Sequence, residues 1–211
     1  MTAYRWGEYL GYIDVIYDPG GRVLEYHGAP VHLTNTTEQD EELQEQIEEW
    51  RVPFDAFAAD ELGQSNVELI QETCQDEECL LGDFMADAML AYRLNNSDSA
   101  DFALINAGGI RAAIDEGPIT RGEVLTSFLF GNSIVEITLS GEQVWTVLEV
   151  IVSGVNLENG EEVTSFFQIS TGIQVGYNPD NNNGSKLISI TVGDGPIDNA
   201  TDYNIVTLDC K

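Results

Sequence analysis

Positive charge is scarce in this chain of 211 residues: eight lysines and arginines stand against thirty-seven aspartates and glutamates, for a formal net charge of −29. A surface so acidic has nothing with which to displace the counterions of a nucleic-acid backbone, so nucleic acid is excluded as a partner. It also repels anionic membranes. Histidine is nearly absent. His27 and His32 lie near the amino terminus, neither has a helical partner histidine, and neither falls in a metal-binding spacing. The three cysteines are Cys74, Cys79 and Cys210, and with no nearby histidine or third cysteine the first two do not make a zinc site. No Gly-X-Ser-X-Gly elbow is present, and no glycine loop ends in Lys-Ser/Thr. No apolar run approaches the ~18 residues a membrane span needs. The longest, around Val147 to Val152, is broken by Glu149 and reads as a buried helix.

What is present suits a folded domain. Hydrophobic residues make up 43% of the chain and aromatics 9%, enough for a core. The length allows one large domain, or one domain with an appendage, burying roughly 70% of the unfolded surface. Cys74 and Cys79 can close a short disulfide loop where the turn between them brings their Cα atoms together, worth roughly 2 kcal/mol on the chain-entropy model. Four Asn-X-Ser/Thr sequons, at Asn35, Asn95, Asn183 and Asn199, fit an extracellular or cell-surface protein. The opening Met-Thr-Ala-Tyr-Arg-Trp is not a signal peptide and reads poorly as a domain start, so the chain is expected to be incomplete.

The periodicities set out the elements. Gly11–Tyr17 and Arg22–Tyr26 flank an Asp-Pro-Gly-Gly turn and read as a hairpin. Leu43, Ile47, Trp50, Phe54 and Phe57 recur at helical spacing behind a capping box expected from Thr36 with Gln39 or from Thr37 with a nearby acid, while acid fills the other face. Pro53 is expected to kink or end that helix. A second helix is expected over about Gly82 to Leu94, with Met85, Ala88, Met89 and Tyr92 on its core face. A polar loop follows over Asn95 to Ala100. Phe102–Ile105 is a continuous apolar run, the mark of a strand buried on both faces. Thr120 with Glu123, and Ser140 with Gln143, form capping boxes for two more helices. The second carries Val144, Leu148 and Ile151 and ends near Gly154. Ile134–Leu139, Phe166–Ile169, Ile173–Tyr177, Leu187–Val192 and Tyr203–Leu208 read as strands. Helices interleaved with strands, then a run of strands, define a mixed α/β (α+β) domain.

Candidate chemistry gathers after the buried strand, at Asn106-Ala107-Gly108-Gly109-Ile110-Arg111. A glycine pair lets the backbone bend and approach a ligand. Asn106 offers both donors and an acceptor, and Arg111 a rigid donor fork suited to phosphate or ribose oxygens. The same pattern also serves a tight turn with a structural Arg–carboxylate pair, for which Asp115 is at hand. Phe128 and Phe130 flank Leu129 before Gly131-Asn132. A ring exposed there can stack on a flat base, and both rings can equally belong to the core.

Taken in order, these segments resemble the 5'-nucleotidase family of secreted metallophosphoesterases. Trp6-Gly7-Glu8-Tyr9-Leu10-Gly11-Tyr12 with Gly28-Ala29-Pro30 is similar to the last hairpin of the family's metal-binding domain. Cys74 to Cys79, Leu81-Gly82-Asp83 and Ala86-Asp87-Ala88-Met89 resemble the start of its carboxyl-terminal domain. Asn106 to Arg111 carries that domain's signature, and Phe128-Leu129-Phe130-Gly131-Asn132 resembles its Leu-Pro-Phe-Gly segment, with Leu129 in the proline's place. The resemblance implies a division into 1–35, the trailing hairpin of a missing metallophosphoesterase domain; 36–62, a linker helix; and 63–211, a truncated substrate-binding domain. It implies contacts from Asn106, Gly108, Gly109 and Arg111 to the ribose and phosphate of a nucleoside or nucleoside monophosphate, with Phe130 as one of two stacking rings. It implies no cofactor in this chain and two divalent, zinc-like metal ions in the missing domain, so that the chain alone is inactive. Three positions depart from the family: Gln75 replaces a phosphate-contacting arginine, Cys210 stands near the second ring's place, and the chain stops before a Gly-Gly-Asp-Gly segment. The other reading is a non-catalytic extracellular module that holds nucleosides or a partner.

Overall fold

The computed structural model describes residues 7–96 and 100–209. Cys210, where the resemblance expects a stacking ring, lies outside them. The chain forms two compact units, one up to Val52 and one from Pro53 onward.

In the first unit, strands β1 (Tyr9–Gly11), β2 (Asp14–Tyr17), β3 (Val23–His27) and β4 (Pro30–His32) make two antiparallel pairs, β1 with β4 and β2 with β3. The β2–β3 hairpin is the one its Asp18-Pro19-Gly20-Gly21 turn predicts. Asp18 accepts the Gly20 and Arg22 amides at 2.8 and 2.9 Å and so closes the turn on itself. Helix α1 (Glu41–Ala58) runs through Pro53 rather than ending there. One missing intrahelical bond is tolerated in a helix of 18 residues.

The second unit contains β5 (Glu61–Ser65), α2 (Leu80–Leu94), β6 (Phe102–Asn106), β7 (Gly117–Thr120), α3 (Arg121–Ser127), β8 (Ile134–Ser140), α4 (Gly141–Ser153), β9 (Phe167–Ile169), β10 (Ile173–Tyr177), β11 (Leu187–Val192), β12 (Gly195–Pro196) and β13 (Asp202–Leu208). Its central sheet has the order β8-β13-β6-β9. β6 runs parallel to β13, and the outer pairs are antiparallel. Strand alternation sends Ala103, Ile105 and Val206 to one face, against Ala86, Met89 and Leu90 of α2. Phe102 and Ile205 go to the other, against Val144, Leu148 and Val152 of α4 and the sheet β10-β11-β12. β6 is therefore covered on both sides, as its unbroken apolar run demands.

Two of the three expected capping boxes are present: Thr120 with Glu123 starts α3, and Ser140 with Gln143 starts α4. The box expected at Thr36 or Thr37 does not start α1, which begins at Glu41 with Asp40 Oδ1 accepting the Leu43 amide at 3.0 Å. Gly154 then ends α4 in the left-handed region at φ 67°. The expected face of α2 needs correction. Met89 is buried, but Ala88 and Tyr92 face solvent, and the buried side is built from Leu81, Gly82, Ala86, Met89 and Leu90. Leu80, Phe84, Ala88 and Tyr92 form a second apolar stripe at helical spacing, so hydrophobicity alone does not choose between the two faces.

Candidate functional site

A third apolar cluster lies beneath the glycine turn. Cys74 and Cys79 are bonded, with Cα atoms 5.0 Å apart, and they pack with Leu69, Leu81, Ala107, Ile110, Ile114 and Ile119. The disulfide loop is tied to β9 by Gln168, whose side chain is fully buried. Its Oε1 accepts the Cys79 amide at 2.8 Å, and its Nε2 donates to the Cys74 and Glu77 carbonyls, both at 2.8 Å. Gly82 is required beside it, because a Cβ there would lie 2.3 Å from the Gln168 side chain.

This platform shapes the turn at the end of β6. Residues Ala107–Gly109 form one 3-10 turn. The Ala107 amide donates to the Phe166 carbonyl at 2.9 Å, and the Gly108 amide to Ser165 Oγ at 2.9 Å. Gln75 Nε2 donates to the Ala107 carbonyl at 2.7 Å. Ala107 and Ile110 point into the cluster and are buried, which leaves the other side of the turn open. Neither Gly108 nor Gly109 has a positive φ, so the glycine pair does not serve the sharp bend expected from its sequence. Gly108 serves packing instead: a Cβ there would meet Asn106 Nδ2 at 3.0 Å. At Gly109 a Cβ would meet nothing within 4 Å, so the missing side chain only keeps the space clear.

Asn106, Gly109, Phe130 and Asn132 line one cleft of about 220 Å³, floored by Met85, Ile105, Ile134 and Leu208. Its opening lies past the carboxyl ends of β6 and β13, the usual ligand position on parallel strands. Both rings line this cleft: Phe130 is 49% exposed, and Phe128, half-buried, packs at the same time against the cluster under the turn. Arg111 is not a lining residue. Its Cζ sits 5.9 Å from the Phe130 ring centroid, and its Nη1 donates to the Gly108 carbonyl at 3.3 Å. Backbone bonding also seats it, since its amide donates to the Ser127 carbonyl at 2.8 Å. Gly108 stands one residue behind the cleft wall. Cleft volume falls below the roughly 300–1,000 Å³ of ordinary ligand pockets and suits a flat, base-sized group.

Gln168 and Ser165 carry no signal in the sequence, and Asn132 stands there only as part of the Phe128-to-Asn132 segment. Gln168 and Ser165 act on partners 89 and 57 positions away. Gln75 has work beyond that of a missing arginine, because it holds the turn's carbonyl.

Two carboxyls in this unit are displaced from their ordinary range. Burial first, and then the adjacent Glu78 carboxyl, push Asp83 up to about 7. Burial pushes Glu149 upward as well, but the Leu187 and Lys186 amides at 2.8 and 3.0 Å and the Ser153 hydroxyl at 2.8 Å outweigh it and hold the group low. Among the described residues no group of three or more His, Cys, Asp or Glu side chains could hold a metal ion. His27 instead approaches Asp14 at 3.3 Å, and His32 stacks on Tyr9. No helix among these residues is long and apolar enough to cross a membrane.

Fold and cleft together define a layered mixed α/β domain with a candidate ligand site at the carboxyl end of a parallel strand pair. The chain belongs to the 5'-nucleotidase family: residues 61–210 match the family model described as "5'-nucleotidase, C-terminal domain". It is 32% identical over 202 residues to the 5'-nucleotidase of Bos taurus, covering 91% of this chain and 34% of that protein. It is 31% identical over 214 residues to an apyrase of Aedes albopictus, covering 97% of this chain and 37% of that protein. The solved 5'-nucleotidase precursor of Thermus thermophilus superposes with a TM-score of 0.70 at 29% identity, over 99% of this chain and 41% of that one. The chain thus spans about a third of the length of these curated relatives.

Proposed function

We propose that this chain is the nucleoside-binding part of an extracellular 5'-nucleotidase-type phosphohydrolase, an enzyme that removes phosphate from nucleoside monophosphates, and that alone it hydrolyses nothing. In this reading residues 1–35 end the metallophosphoesterase domain, 36–62 form the linker helix, and 63–211 form the substrate-binding domain. In the same reading the two divalent, zinc-like metal ions of the hydrolytic centre are held by the metallophosphoesterase domain. The disulfide and the sequons support an extracellular or cell-surface location.

The observation that carries the reading is the shared cleft of Asn106, Gly109 and Phe130, with the Arg111 guanidinium 5.9 Å from the ring. Phe130 offers a face on which a base stacks. The Asn106 carboxamide can give and accept one hydrogen bond each with ribose hydroxyls. Arg111 supplies positive charge on the phosphate side of a strongly negative molecule.

Saturation-transfer NMR on the full chain with adenosine and AMP tests this. Binding is expected to be feeble, with Kd at or above about 1 mM. Phe130→Ala should abolish transfer to the base protons, since one stacked base is worth about 1–3 kcal/mol. Arg111→Ala should weaken AMP more than adenosine. Transfer that Phe130→Ala leaves unchanged, or AMP hydrolysis by the chain alone with added zinc, manganese or cobalt, contradicts the reading.

A further inference from the structure

We propose that Asn183 and Asn199 are acceptor sites for N-linked glycan. The proposal rests on the extracellular location proposed above. Both asparagines stand in Asn-X-Ser/Thr triplets, Asn183-Gly184-Ser185 and Asn199-Ala200-Thr201. Both are exposed, Asn183 in the turn between β10 and β11 and Asn199 in the turn between β12 and β13.

What singles them out is how their turns are bonded. The backbone of each is anchored. The Gly184 amide donates to Ser153 Oγ at 3.0 Å, and the Ser185 amide to the Asn182 carbonyl at 3.0 Å. In the other turn, the Glu142 amide donates to the Asn199 carbonyl at 3.2 Å, and the Gly141 amide to the Thr201 carbonyl at 2.9 Å. The side chains stay out of this bonding. Among the described residues neither carboxamide has a hydrogen-bond partner, and neither do the hydroxyls of Ser185 and Thr201. Neighbouring asparagines behave differently: Asn178 Nδ2 donates to Asn181 Oδ1 at 3.3 Å, and Asn181 Nδ2 to the Ser185 carbonyl at 3.0 Å. At Asn35 the triplet's third residue is engaged, since Thr37 Oγ1 accepts the Thr34 amide at 2.9 Å.

Each chosen triplet therefore presents its reactive amide and its hydroxyl without breaking a native side-chain bond. The co-reactant is a lipid-pyrophosphate-linked oligosaccharide. The asparagine Nδ2 bonds to the sugar's anomeric carbon, the carbon–oxygen bond to the lipid pyrophosphate breaks, and Nδ2 gives up one proton. Nothing is oxidised or reduced. Neither site lines the Asn106–Phe130 cleft.

The test is site mapping of the wild-type chain, expressed in yeast behind a secretory leader. Protein whose leader has been removed, from medium or cells, is treated with peptide-N-glycosidase in heavy-oxygen water and mapped by mass spectrometry. Heavy-labelled aspartate at positions 183 and 199 that is absent without the enzyme is the expected result, since Asn183-Gly184 can deamidate unaided. Unmodified asparagine at either position overturns the assignment there, and at both it overturns the proposal. The leader delivers the chain to the transferase whatever its native location, so that failure concerns the acceptor sites alone. Fractionation of the source organism separately tests the extracellular reading.

Discussion

Replacing Asp83 with asparagine should make this protein more stable at alkaline pH while leaving it almost unchanged at acid pH. Asp83 lies in the first turn of α2, and its Oδ1 is buried with no hydrogen-bond partner. Burial is the largest influence raising its carboxyl to about 7; the Glu78 charge, a bond to the Glu78 side chain and the Asp87 charge add to it, and the Ile169 amide pulls the other way. Against an ordinary value of 3.8, three units correspond to about 4 kcal/mol at ~1.36 kcal/mol per unit. Solvent reaches part of this side chain, and screening reduces the figure to about 1–2 kcal/mol. The folded state binds the extra proton between roughly pH 4 and pH 7, so this group's contribution is complete below that window and is lost as pH rises through it. Asparagine cannot ionise and removes the loss. Urea unfolding followed by circular dichroism at about pH 5 and about pH 8 measures the difference, which cancels the general repulsion of a chain carrying a net charge of −29. The variant's midpoint should exceed the wild type's at the higher pH and approach it at the lower. Parallel curves for the two proteins across that range would refute the reasoning.

Gln168→Leu should destabilise the second unit by about 2–4 kcal/mol, because the Cys79 amide and the Cys74 and Glu77 carbonyls lose their partner together; chemical denaturation reads this directly. Glu149→Gln should cost more near neutral pH than at about pH 3. The stabilisation from that low-lying carboxylate is present above its unfolded value and lost as pH falls through the folded one, so thermal melts at the two pH values separate the cases. Cys74→Ser with Cys79→Ser should lower stability by about 2 kcal/mol. It should also loosen the Ala107–Gly109 turn that packs on the disulfide, seen as faster amide exchange there.

Local patterns carried much of the fold. Thr120 with Glu123 and Ser140 with Gln143 mark helix starts because a cap is a contact over three residues. The apolar run at Phe102–Ile105 marks a strand covered on both faces. The Asn106-to-Arg111 segment and Phe130 stand out as candidates because an amide, a glycine pair and a guanidinium lie together in so acidic a chain and because the segments resemble the family's motifs. Local reading failed where two answers were locally equal. Helix α2 has apolar residues on two faces, and only the strands packed against it decide which is buried. Pro53, expected to kink or end its helix, does not end it, since α1 continues to Ala58.

By itself, then, the order of amino acids determined element types, their caps, the acidic surface and the family's motifs, all of which depend on neighbours within a few positions. Tertiary structure alone decided that Gln168 clamps the disulfide loop, that Gln75 and Ser165 hold the glycine turn, and that Phe128 and Phe130 both meet Asn106 at one cleft. These are meetings of groups from distant parts of the chain. Their geometry is set by how layers pack, which no short stretch of sequence encodes.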